Sequence, residues 1–204
     1  METPLWEPRP GAAASSNMAR FMKVYSGVVP TTIASPHDLH QASIEHAEEF
    51  WSTLWDFCGI VGDKGAGPYI ENADKMPGAR FFPGARLNYA ENLLVATGPE
   101  PALIFRCEDG TRREVSRDEL RAQVARAQKV MKDMGLGKGD RVAAMMPNMP
   151  ETIVAFLAAA GIGAVWSSCS PDFGVQGVLD RFGQIEPKRF VACEGYRFNG
   201  KGAS

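Results

Sequence analysis

The chain has 204 residues, 45% hydrophobic and 23% charged, with a formal net charge of -2 and a pI near 6.0. A chain of this length buries a sizeable core without staples, since folding removes roughly 70% of the unfolded surface from water. The balance is ordinary for a globular protein, and the mildly acidic charge excludes the basic stripe of a nucleic-acid binder.

Residues 1–34, rich in Pro, Ala and Ser, predict an irregular arm. Its opening, Met1-Glu-Thr-Pro-Leu-Trp-Glu-Pro-Arg-Pro10, is acidic and lacks the apolar centre of a secretory signal. A first helix is expected within residues 36–58. There Ala47, Phe50, Trp51, Leu54, Trp55 and Cys58 recur at helical spacing, with Glu45, Glu48 and Glu49 opposite. His37, His40 and His46 are spaced by three and then six residues with no facing Cys or carboxylate cluster, which reads as solvation or capping rather than metal binding. Gly59 suits a left-handed helix cap. Gly62-Asp-Lys-Gly-Ala-Gly67 has the glycines of a phosphate loop, but Pro68 and polar residues follow instead of a helix, so a flexible loop is expected. Asn88, with Glu91 three residues on, predicts the cap of a short helix.

Residues 102–107 and 111–115 flank Glu108-Asp109-Gly110, a hairpin signal. Ser116 and Glu119 form a capping-box pattern ahead of a helix with an apolar face of Leu120, Val124, Ala127, Met131 and Met134, ended by Gly135. The period then alternates. Arg141–Met146 predicts a strand, residues 150–162 a helix and Gly163–Ser167 a strand. Phe173–Ile185 predicts a helix, closed by Pro187, and Arg189–Cys193 a third strand. Such alternation with short connections predicts a parallel sheet flanked by helices. The apolar run Ile153–Trp166 is shorter than the ~20 residues of a bilayer span, so it belongs to the core and implies no membrane partner. Gly135-Leu-Gly-Lys-Gly139 follows a helix and precedes a strand, the reverse of a dinucleotide fingerprint. Cys58, Cys107, Cys169 and Cys193 lie far apart and read as buried, reduced thiols of a cytosolic protein.

Longer motifs carry a family resemblance. Phe50-Trp51 with Trp55, Arg86-Leu-Asn-Tyr-Ala-Glu-Asn-Leu-Leu94 and Lys138-Gly-Asp-Arg-Val-Ala-Ala-Met-Met-Pro-Asn-Met-Pro-Glu151 resemble the AMP-forming acyl-CoA synthetases. Gly163-Ala-Val-Trp-Ser-Ser-Cys-Ser-Pro-Asp-Phe-Gly174, Gly177-Val-Leu-Asp-Arg-Phe182 and Gln184-Ile-Glu-Pro-Lys188 are more similar to acetoacetate–CoA ligases than to acetate–CoA ligases. The latter carry a histidine and a Phe-Gly-Gly stretch where this chain has Trp166 and Ser170-Pro171-Asp172.

The resemblance implies an α/β fold. Residues 1–95 would be the irregular arm and helical extension, and residues 96–204 the first, incomplete part of a mostly parallel, helix-flanked AMP-binding domain. It implies a cytoplasmic ligase that feeds acetoacetyl-CoA to lipid synthesis. Acetoacetate would attack the α-phosphate of ATP, pyrophosphate would leave, and the thiol of CoA would displace AMP. That chemistry needs Mg²⁺, backbone donors around the phosphates and a cationic side chain. The family's Ser/Thr/Gly-rich phosphate loop and C-terminal lysine do not occur in these residues. No catalytic residue is therefore expected here, and the chain alone should turn over nothing.

In acetate-type relatives a basic stretch after the third strand contacts the nucleotide end of CoA. Lys201 matches it without a gap and Arg197 after a shift of one residue, and a cation there suits a sugar phosphate. The competing reading is a solvated turn. The resemblance also places Ser170, Pro171 and Asp172 along the pantetheine channel, with Asp172 expected to cap the helix that follows. Two alternatives accompany the ligase reading: a sister enzyme acting on acetate or propionate, and a non-catalytic fragment that binds CoA or a protein.

Overall fold

Ser16 begins the first helix. Its hydroxyl accepts the Ala19 N–H at 3.1 Å, and α1 (Asn17–Tyr25) follows. The structure, a computed structural model, describes residues 5–198 and 201–203, without the side chains of residues 198, 201 and 203. Helix α1 overturns the expected irregular arm, because composition averaged over 34 residues hides an amphipathic segment whose Phe21 and Tyr25 are buried.

Helix α2 (Pro36–Glu45) carries a full capping box between Ser35 and Asp38, with Pro36 in its first turn. Helix α3 (Ala47–Phe57) is separate. The single helix expected within residues 36–58 breaks at His46, where φ is −124° and ψ is 51°. The single hydroxyl proton of Tyr25 is shared between the carbonyls of Ala42 and His46, 3.1 and 3.0 Å from the phenol oxygen, tying the break to α1. Phe21, Tyr25, Leu39 and Ala42 form the core of this unit, with Phe50, Leu54 and Phe57 packed against it. Trp51 and Trp55 instead meet Phe81 and Phe82, at ring separations of 5.4 and 4.9 Å. Gly59 does adopt the left-handed conformation, at φ +62°.

Strand β1 (Gly62–Asp63) pairs antiparallel with β4 (Arg86–Leu87), and β2 (Ile70–Glu71) with β3 (Arg80–Phe81). The glycine-rich stretch is therefore partly a strand. A Cβ on Gly62 would lie 2.7 Å from that of Leu87, so the pairing itself calls for glycine. Lys64 Nζ fastens the segment, donating to Asp56 Oδ2 at 2.8 Å and to Ser52 O at 2.9 Å.

The chain divides between Leu87 and Asn88 into two compact units. The second opens with α4 (Tyr89–Leu93). Asn88 Oδ1 accepts the Glu91 N–H, while Asn88 Nδ2 reaches Ala160 O at 2.9 Å. Strands β5 (Pro101–Arg106) and β6 (Arg112–Ser116) form the expected hairpin, with Gly110 at φ +85° in its turn. Helix α5 (Arg117–Asp133) begins at the Ser116–Glu119 capping box and buries Leu120, Val124 and Met131.

Then come β7 (Arg141–Met145), α6 (Pro150–Gly161), β8 (Val165–Cys169), α7 (Val175–Phe182) and β9 (Arg189–Ala192). The three strands form a parallel sheet in the order β8-β7-β9, as the alternating pattern predicts. Val142 joins the cluster of α5 and α6, whereas Ala143 packs with Cys169 and Phe182, so successive residues of the central strand serve opposite faces. Strands β10 (Tyr196–Phe198) and β11 (Lys201–Ala203) close the described chain as an antiparallel hairpin. Cys169 is buried as expected, but Cys58 is exposed and Cys107 and Cys193 are half-buried, so the uniform reading of buried thiols fails.

Candidate ligand site at the end of the parallel sheet

Parallel strands finish on one edge, and the loops that leave them gather there. In the second unit this edge is formed by the exits of β7, β8 and β9. A cleft of about 380 Å³ opens on it, lined among others by Arg106, Asn148, Asp172, Tyr196 and Arg197. A neighbouring apolar hollow of about 400 Å³ is lined by Met145, Phe173, Val178, Leu179 and Phe190, and Pro171 and Tyr196 border both.

Asp172 does not cap α7. The N-cap is Gly174, with no side-chain hydrogen bond. The carboxylate turns instead to two hydroxyls: Ser170 Oγ donates to Oδ2 at 2.7 Å and the Tyr196 hydroxyl to Oδ1 at 2.7 Å. The expected cap fails because these partners lie on the strand side and across the sheet edge, 24 residues away for Tyr196. The Ser170 and Tyr196 hydroxyls hold the Asp172 carboxyl below the usual carboxylate range, and the same bond pushes the Tyr196 phenol up.

Arg197 stands on the cleft wall, and its backbone pairs with Gly202. The backbones of Arg197 and Lys201 thus stand in antiparallel register, opposite Gly202 and Phe198. Arg197 Nε lies 3.3 Å from Asp109 Oδ2 in the β5–β6 turn. Hydrogen bonds from Thr111, and then the Arg197 charge, hold the Asp109 carboxyl low. Lys201 pairs in backbone register with Phe198, but its side chain falls outside the described residues. The cleft also gathers Arg106 and Tyr196, which the sequence reading left out. Arg106 ends β5 close to the hairpin turn, and Tyr196 immediately precedes Arg197 in β10.

The charges set what the cleft can do. Arg106, Glu108, Asp172 and Arg197 all line the cleft, and Asp109 stands against Arg197, so charges of both signs meet there. An anion reaches Arg197 by displacing Asp109. That exchange would cost little, because an exposed ion pair is weak and a charge-assisted bond to phosphate is stronger. The cleft therefore presents Arg197 to an incoming anion only in exchange for its Asp109 partner. It does not fit Mg²⁺: both Asp172 oxygens are taken by hydroxyl donors, and no cluster of His, Cys, Asp and Glu suited to a metal occurs among the described residues. Among the same residues no helix is long and apolar enough to cross a membrane.

Residues 94–201 match the family described as AMP-binding enzyme, and residues 37–93 match the acetyl-coenzyme A synthetase N-terminus. The acetoacetyl-coenzyme A synthetase of Rhizobium meliloti (strain 1021) is 50% identical over 200 residues, covering 98% of this chain and 31% of that protein. The acetoacetyl-CoA synthetase of Xenopus tropicalis is 41% identical over 198 residues, covering 94% of this chain and 29% of its own length. Among solved structures, acetoacetyl-CoA synthetase from Streptomyces lividans superposes with a TM-score of 0.90 at 36% identity, over 100% of this chain and 32% of that one. The chain thus spans about a third of the length of the relatives it matches.

Proposed function

Because this chain belongs to the AMP-binding enzyme family, we propose that it is the leading part of an acetoacetate–CoA ligase. The observation that carries this reading is likeness along nearly the whole chain, in sequence and in backbone, to acetoacetyl-CoA synthetases. The reaction has two displacements. An acetoacetate carboxylate oxygen attacks the α-phosphorus of ATP, and pyrophosphate leaves with the electron pair of the broken P–O bond. The sulfur of CoA, having given up its proton, then attacks the acyl carbon, and AMP leaves as acetoacetyl-CoA forms. Mg²⁺ would supply charge neutralisation on the ATP phosphates, outside the residues described here.

On this reading the described residues bind rather than react. Arg197, together with Lys201, meets the phosphates at the nucleotide end of CoA, and the cleft at the sheet edge leads the pantetheine arm inward past Ser170–Asp172. Charge-assisted contacts to the phosphate would replace the Arg197–Asp109 pair. The family boundary between the helical extension and the AMP-binding domain would fall near residue 95, a few residues beyond the break between the compact units at Leu87 and Asn88. The enzyme is cytoplasmic, a placement that four unpaired cysteines suit.

The test is AMP release by the product of the complete coding sequence, supplied with ATP, CoA and acetoacetate, acetate or propionate in turn. The expected outcome is release with acetoacetate at least tenfold faster than with either other acid. A preference for acetate or propionate would move the protein to a sister ligase. The 204-residue chain alone is expected to release no AMP.

A further inference from the structure

We infer that Ser170, Asp172 and Tyr196 form a latch that fastens the β10–β11 hairpin to the exit of β8, making Asp172 and Tyr196 positioning residues for the Arg197 cation. The positioning role rests on the reading of Arg197 as a CoA contact; the latch itself does not.

Each strand of this hairpin is three residues long. A two-stranded ribbon of that length is marginal on its own in water, so its place depends on what ties it to the rest of the unit. Neighbouring residues on a strand point to opposite faces. Tyr196 and Arg197 accordingly reach different partners. The Tyr196 hydroxyl donates to Asp172 Oδ1 at 2.7 Å, and Arg197 Nε faces Asp109 Oδ2 at 3.3 Å. The second tether is the one a phosphate would displace. The first must then hold the hairpin while Arg197 is engaged elsewhere.

The geometry of Asp172 suits that duty. A short hydrogen bond from a hydroxyl to an ionised carboxylate is roughly twice as strong as a neutral one. Ser170 Oγ occupies the other oxygen at 2.7 Å and also accepts the Asp172 N–H at 3.3 Å, so the carboxylate is fixed with Oδ1 toward Tyr196. Each Asp172 oxygen thus accepts a hydroxyl proton, while the carboxylate itself stays exposed on the cleft wall.

The experiment compares the wild-type chain with Tyr196→Phe, Asp172→Ala, the double variant, Asp172→Asn and Arg197→Ala. Hydrogen exchange of the amides of β10 and β11 reads the latch, and calorimetry with CoA reads the positioning. Exchange in β7 reports that each variant remains folded. The latch predicts hairpin exchange about tenfold faster in Tyr196→Phe and in Asp172→Ala, no further increase in the double variant, and partial rescue by Asp172→Asn, which keeps an acceptor. Arg197→Ala should leave at least the Tyr196 tether in place and weaken CoA binding. The two latch variants should weaken it three- to tenfold. Hairpin exchange unchanged in both single variants would overturn the latch. Faster exchange with unaltered CoA affinity would overturn the positioning role alone. A wild-type chain that binds no CoA would overturn the Arg197 reading and with it the positioning role, and exchange would still decide the latch.

Discussion

Arg197 and Asp109 illustrate how one exposed pair can govern a site. The carboxylate sits 3.3 Å from the guanidinium and competes with any phosphate for it. Asp109→Asn removes the competing charge and keeps an oxygen for the Thr111 N–H, which Asp109 accepts at 2.8 Å. CoA should therefore bind about two- to fivefold more tightly to this variant at low salt, a modest gain because an exposed pair is weak, and the gain should shrink as salt is added. Calorimetry at two ionic strengths checks both parts; weaker binding would remove Arg197 from the phosphate contact. A second residue-scale prediction concerns Tyr25, which is fully buried and whose phenol is pushed up to about 12 by burial and then by the charge of Glu49. The fold favours the neutral phenol, so its contribution is fully present below the unfolded value of about 10 and is lost as pH rises through about 12. The first unit should lose helical circular dichroism over that alkaline interval. Tyr25→Phe should flatten the loss and cost about 1 kcal/mol, as for one shared hydrogen bond, since the Ala42 and His46 carbonyls keep the N–H groups of His46 and Phe50.

At the scale of elements, what was legible in the sequence was what depends on near neighbours. The Ser116–Glu119 box, the Asn88 cap, the Asp109-Gly110 turn and the left-handed Gly59 all involve residues within a few positions, and all appear in the structure. Ser116→Ala should therefore lower stability by about 1 kcal/mol, seen as a shift of the denaturant midpoint without a change of slope. What was not legible depends on distant partners. Nothing near His46 announces a helix break; the Tyr25 hydroxyl that accompanies it comes from 21 residues earlier. Asp172 sits where a cap is expected, yet its oxygens go to Ser170 and to Tyr196, and only the folded sheet brings that tyrosine near. Burial divides the helices in the same way. Leu157 in α6 is 2% exposed and Leu179 in α7 is 59% exposed. Leu157→Ala should cost about 2–5 kcal/mol, while Leu179→Ala should stay within about 0.5 kcal/mol.

For the whole molecule, the alternating strand–helix pattern after residue 140 predicted a parallel sheet, and β8-β7-β9 is that sheet. Its edge, not any single motif, creates the candidate site, by bringing a hairpin turn, a strand exit and a second hairpin around one cleft. Sequence spacing alone could point to Arg197; it had no means of pairing that residue with Asp109, 88 positions earlier in the chain. We propose that this chain serves as the leading third of an acetoacetate–CoA ligase. The most direct measurement exchanges it for the matching segment of the Rhizobium meliloti acetoacetyl-CoA synthetase, 50% identical to it, and follows AMP release. The account predicts that the folded chimera releases AMP with acetoacetate, ATP and CoA, and that Arg197→Ala within it raises the KM for CoA more than it lowers kcat. A folded chimera that releases no AMP with acetoacetate would contradict it.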